Sequence, residues 1–133
     1  MKFIALALAL LVVAGCSTSP ISSSEASKVP SSRLHAFTSK QESTLVVTRD
    51  TGVLGAACNY KFYIDGTFAA EFGSGETATF GIKAGSHVLG IAAAVPCGGA
   101  GLLESEVVVA AGQVAKRRIY TNHSGFQLTP TSY

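Results

Sequence analysis

The sequence is short of the features that announce most activities. Charged residues make up 14%, with 10 Lys and Arg against 8 Asp and Glu. So even a balance argues against bulk nucleic-acid binding, which needs a dense basic surface. No G-x-S-x-G elbow occurs to present a nucleophilic serine. His35, His87 and His123 are scattered without H-x-x-x-H spacing, and no C-x-x-C occurs, so neither a metal centre nor a redox pair is signalled. Cys97-Gly98-Gly99-Ala100-Gly101 is rich in glycine, lacks the Lys-Ser/Thr of a phosphate loop and opens no helix, so it reads as a flexible loop. After the first sixteen residues no apolar run approaches the length of a spanning helix. No long segment carries helical periodicity, and residues 91–94, helical by alanine content, are followed closely by Pro96. No catalytic residue, metal or cofactor is therefore expected.

What is present begins at the amino terminus. Lys2 gives a positive start, residues 3–13 an apolar run, and Val13-Ala14-Gly15-Cys16 a small-residue site ending in cysteine. The run is too short to span a bilayer comfortably. This segment resembles the lipobox signal peptide of bacterial lipoproteins. The resemblance implies removal of residues 1–15, diacylation of the Cys16 thiol and acylation of its new amino group. Two or more acyl chains anchor a protein stably where one does so only marginally. Ser17 stands where an Asp favours retention in the inner membrane. The resemblance thus implies an outer-membrane lipoprotein facing the periplasm of a Gram-negative cell.

Residues 16–43 read as the lipidated terminus and a tether. Residues 17–32 are rich in Ser, contain Pro20 and Pro30 and have almost no large apolar side chains. Such a stretch does not bury enough surface to offset its ordering entropy, which predicts a flexible stand-off from the membrane. Residues 34–43 are compatible with a short helix or a loop.

Residues 44–133 read as one all-β domain. Leu45, Val46 and Val47 open a first strand. Cys58, Tyr60, Phe62 and Ile64 alternate with Asn59, Lys61 and Tyr63, the period of a half-buried strand. Asp65-Gly66 supplies a hairpin turn. The return strand over 67–72 is expected to place Phe68, Ala70 and Phe72 inward. Gly73-Ser74-Gly75 breaks the chain, and Ala78, Phe80 and Ile82 repeat the alternation. Ala84-Gly85 turns into a strand over 87–94. Residues 103–110 and 114–121 follow, separated by Ala111-Gly112-Gln113, and 126–128 close the series. About eight short strands with frequent turn signals predict an antiparallel β-sandwich or barrel, a sandwich being preferred.

Val47-Thr48-Arg49, Tyr63-Ile64-Asp65-Gly66, Ala84-Gly85-Ser86-His87-Val88-Leu89 and Ala111-Gly112-Gln113 before Arg118-Ile119-Tyr120 give the domain a resemblance. It resembles the small, uncharacterised lipoprotein domains related to PEGA-like, immunoglobulin-like β-sandwiches. The resemblance covers nearly all of residues 45–130 and implies a fold of 7–8 strands, but no catalytic residues.

With Cys16 assigned to lipid, Cys58 and Cys97 remain as a pair. In an oxidising periplasm the expected state is a structural disulfide. Glu104 and Glu106 share one strand face, most simply a solvated one, and Asp65 is explained by its turn. Lys116-Arg117-Arg118 is the sharpest charge feature. Lys116, Arg118 and Tyr120 share one face of their strand and Arg117 takes the other. An edge strand protected by charge explains the run. The functional reading is a patch for phospholipid phosphates, acidic peptidoglycan groups or an acidic protein. Arg49 is expected to join that patch or to pair with Glu104 or Glu106.

The reading that follows is a non-enzymatic, membrane-anchored envelope lipoprotein that binds an envelope protein or peptidoglycan, without nucleic acid. A narrower version is an inhibitor or immunity protein against an envelope-targeting enzyme or toxin. The competing class is an envelope hydrolase, which requires a cleft where perturbed acids or a histidine meet.

Overall fold

The computed structural model describes residues 18–97 and 101–133. The expected signal segment 1–15, the lipidation residue Cys16, Ser17 and residues 98–100 of the Gly-rich loop lie outside the described residues.

The described chain is all-β. It forms β1 (Ser27–Lys28), a single 3-10 turn (Ser31–Arg33), β2 (Ser43–Arg49), β3 (Tyr60–Ile64), β4 (Thr67–Phe72), β5 (Glu76–Ile82), β6 (Gly85–Ala93), β7 (Leu103–Val109), β8 (Val114–Asn122) and β9 (Gly125–Pro130). These strands make two sheets, one in the order β1-β5-β2-β8-β9 and one in the order β4-β3-β6-β7. The second sheet is wholly antiparallel. The first is mixed, because β1 runs parallel to β5 and β2 runs parallel to β8. The sandwich expectation stands, and its purely antiparallel form is corrected at these two pairs.

The period-two patterns explain why the sheets face each other. Leu45, Val47, Phe80, Ile82, Phe62, Ile64, Leu89, Ile91, Val107, Val109 and Ile119 all lie between the layers and are buried. Phe62 is the hub, stacked on Phe80 with ring centroids 5.4 Å apart and edge-on to Phe72 at 5.8 Å. Asp65 and Gly66 both take positive φ, +49° and +76°, the pairing of a two-residue turn whose twist suits a hairpin.

Two local departures matter for function. The register between β3 and β4 slips after the Phe62–Ala70 pair, so that Tyr63 faces Phe68 and Ala69 is the extra residue. A bulge of this kind reverses the side-chain alternation beyond it. Phe68, expected to point inward, is therefore turned to the outer face, where it contacts Tyr63 at 5.6 Å.

The second departure is the predicted tether. From Thr18 onward it is not a free strand of chain but is laid along the sandwich. β1 adds to the edge of β5, Val29 enters the core at 4% exposure, and Leu34 bridges to Ala70 of the other sheet. Arg33 closes the seam with a bidentate bond to Glu76 at 2.6 and 2.7 Å and donates to the Glu71 carbonyl at 2.9 Å. Few apolar residues suffice here because the segment contributes backbone hydrogen bonds to an existing edge instead of building its own core. Of the two alternatives for residues 34–43, the loop is the one formed, leading into β2 at Ser43. It runs past β5 so closely that a Cβ on Gly81 would collide with the Ser39 carbonyl.

Candidate functional site

The strand alternation that buries Leu45 and Val47 also carries Arg49 inward. Its side chain lies between the sheets at 2% residue exposure. The guanidinium donates to the carbonyls of Gly55 and Cys58 at 2.6 Å and of Phe72 at 2.9 Å, and sits 4.0 Å over the Tyr60 ring. Burial lowers its pKa, an effect opposed by Tyr60 and Glu76. Arg49 thus joins no surface patch and pairs with neither Glu104 nor Glu106. It serves as a clasp for the loop over 50–59.

Lys116, Arg118 and Tyr120 share the outer face of β8, and the Arg118 guanidinium lies 4.7 Å from the Tyr120 ring centre. β8 is no edge strand, however, since it pairs with β2 on one side and β9 on the other. Arg118 makes two bonds of 2.6 Å to Asp50, whose side chain is 1% exposed. The Asp50 hydrogen bond is the main cause that raises the Arg118 pKa. The basic patch is therefore reduced to Lys116 beside a neutralised pair. Sequence offered no signal for Asp50, because its partner lies on a strand reached only through a non-local parallel pairing.

Cys58 and Cys97 form the expected disulfide, with Cα atoms 5.9 Å apart. It joins the loop preceding β3 to the segment following β6.

The three histidines stand apart. His35 stacks on Phe68 with centroids 4.4 Å apart, and His123 lies in the turn between β8 and β9. His87 opens onto a cavity of about 410 Å³ lined by Phe37, Ser39, Gln41, Asp65 and Lys83. Its Nδ1 is 2.6 Å from Asp65 Oδ2 and its Nε2 is 2.7 Å from the Lys83 carbonyl. Both partners accept only, so both ring nitrogens donate and the geometry suits the imidazolium. Neither nitrogen is free to take a proton from a substrate.

Titration follows from this arrangement. The Asp65 hydrogen bond raises the His87 pKa against a smaller effect of burial. Burial pushes Asp65 up, but the His87 bond, the Val88 amide and the His87 charge together hold it below its usual value. The raised His87 contributes stability that is complete below the ordinary value of 6.5 and is lost as pH rises through its folded value. The lowered Asp65 contributes above 3.8 and is lost as pH falls through its folded value. Melting temperature is therefore expected to be higher at pH 5.5 than at pH 8.5 by an increment that His87→Gln removes. Equal increments in the wild type and the variant contradict the pairing.

A different surface offers more for recognition. Tyr63, Phe68 and His35 form an aromatic row on the outer face of the second sheet, with Lys61 Nζ 5.7 Å from the Phe68 ring centre. Beside it runs a groove of about 340 Å³ between Tyr63, Val88, Ala92, Leu102 and Glu104. Gly90 is its floor, since a Cβ there would stand 3.1 Å from Leu102 Cδ1. The expectation of solvated Glu104 and Glu106 holds, as both are exposed on this face. The aromatic row was hidden in the sequence by the bulge at Ala69.

Among the described residues no three His, Cys, Asp or Glu side chains are grouped as metal ligands. Comparisons with models of known families, with curated proteins and with solved structures find no match.

Proposed function

We propose that this chain is a lipid-anchored protein of the bacterial envelope, facing the periplasm from the outer membrane, whose sandwich acts as a binding module rather than an enzyme. The observation that carries this reading is Val13-Ala14-Gly15-Cys16 behind Lys2 and an apolar run. The Cys58–Cys97 disulfide supports it, because such bonds persist in oxidising compartments. The tight turns joining short strands into two layers agree with a PEGA-like, immunoglobulin-like type of sandwich.

The recognition surface in this reading is the row Tyr63, Phe68 and His35 with its adjoining groove. Aromatic side chains give large contact area at low entropic cost and are enriched where proteins bind partners. The partner is another envelope protein or cell-wall material.

Crosslinking in cells tests the reading. A photoreactive residue replacing Tyr63 in the full chain is expected to capture a discrete envelope component, and one replacing Lys83 is not. Cys16→Ala is expected to abolish incorporation of labelled fatty acid into the protein. Identical capture from both positions contradicts the aromatic surface, and a Cys16→Ala protein that still carries acyl groups contradicts the anchor.

A further inference from the structure

The two ends of the sandwich differ in kind. At one end lie residues 51–59, 73–75, 94–97 and 101–102, and 122–125, which contain no Asp, Glu, Lys or Arg. The other end carries Lys40, Glu42, Asp65 and Lys83. The two most exposed large hydrophobic side chains of the described residues, Val53 at 94% and Val95 at 86%, are both at the uncharged end. Leu102, at 55%, is the third exposed large apolar side chain there. Of the charges nearest this end, Asp50 is paired with Arg118 and Glu76 with Arg33, while Arg49 has no carboxylate partner but is buried and bonded to the loop carbonyls.

The same end holds the start of the described chain. Thr18 N donates to the Thr121 carbonyl at 3.1 Å and Thr18 Oγ1 to Asp50 at 2.8 Å, while the Thr121 amide donates back to Thr18 Oγ1 at 3.1 Å. Ser19 and Thr51 exchange backbone bonds of 2.8 and 3.0 Å. Cys16 precedes Thr18 by two residues, a reach of at most about 7 Å. Anchored this closely, the domain has no length of chain with which to stand off.

We infer that the uncharged end is a bilayer-docking surface: the loops carrying Val53 and Val95, clamped together by the Cys58–Cys97 disulfide, enter the interfacial region of the membrane. This rests on the lipoprotein reading of Cys16. The lipid surface is the one occupant that the attachment point brings to this end. Apolar tips with no net charge suit the headgroup boundary, and they add buried area to the anchor. Docking end-on also sets the aromatic face of the second sheet upright from the membrane, open to a periplasmic partner.

The chain has no tryptophan, so a single one is a unique probe. The full lipidated protein, carrying V53W, V95W, K83W or Q113W, is reconstituted into phosphatidylethanolamine–phosphatidylglycerol vesicles with brominated acyl chains. Fluorescence from V53W and V95W is expected to shift to the blue and to be largely lost to bromine quenching, while K83W and Q113W keep theirs. Intact mass of the same preparations reports the acyl groups independently. Acylated protein with V53W and V95W unquenched overturns the docking surface and leaves the anchor standing. Equal quenching at all four positions overturns the end-on orientation. Protein without acyl mass overturns the lipoprotein reading, and with it the argument from the attachment point.

Discussion

Removing the Cys58–Cys97 disulfide by Cys58→Ala with Cys97→Ala is expected to cost about 4 kcal/mol, from the loop-closure entropy of a 39-residue separation. For a domain of this size that is a fall in melting temperature of roughly 15 °C. The crosslink ties together segments flanking the neighbouring strands β3 and β6, whose ends meet at the Tyr60–Ala93 pair. Its loss frees two of the loops at the uncharged end. Thermal melts of the oxidised protein, the reduced protein and the double variant measure the effect. Coincident melts of all three contradict it. In the native protein, denatured without reductant, neither Cys58 nor Cys97 is expected to alkylate.

The second large effect is expected at Arg49. Arg49→Met fills much of the same volume but leaves the carbonyls of Gly55, Cys58 and Phe72 without their donor. Each such loss costs about 1–3 kcal/mol where the carbonyl stays buried. Relief of the buried charge offsets part of that, because desolvating a cation with no carboxylate partner is itself unfavourable. Partial rehydration of the loop offsets more, and the net destabilisation is expected at about 3 kcal/mol. Arg49→Lys is expected to fall between the two, since one ammonium does not span three carbonyls in the fork geometry of a guanidinium. Urea unfolding gives the comparison. A variant Arg49→Met as stable as the wild type contradicts the clasp.

Much of this fold is written in period-two patterns. Leu45 and Val47, Phe62 and Ile64, and Ala78, Phe80 and Ile82 each announce a strand and the face it buries, and Asp65-Gly66 announces its hairpin. Local alternation also places Lys116, Arg118 and Tyr120 on one side. What alternation does not carry is non-local. The parallel pairing of β2 with β8 brings Asp50 to Arg118 across most of the domain and puts β8 inside the sheet. Arg49 is the last inward position of its strand, and only the loop that folds over it makes an interior arginine satisfiable. The Ser-rich segment from Thr18 has few apolar residues, yet backbone bonds to β5, Thr51 and Thr121 hold it, and those leave no compositional mark. A single extra residue, Ala69, turns Phe68 outward and creates the aromatic row.

The proposed function and the inferred membrane orientation both rest on a lipid anchor at Cys16. The most direct measurement is the mass of the amino-terminal peptide from protein extracted from cell membranes in detergent. The account predicts a peptide that begins at Cys16 and carries a diacylglyceryl group on sulfur and an acyl group on its amino nitrogen. A peptide that retains Val13-Ala14-Gly15 before an unmodified Cys16 contradicts it.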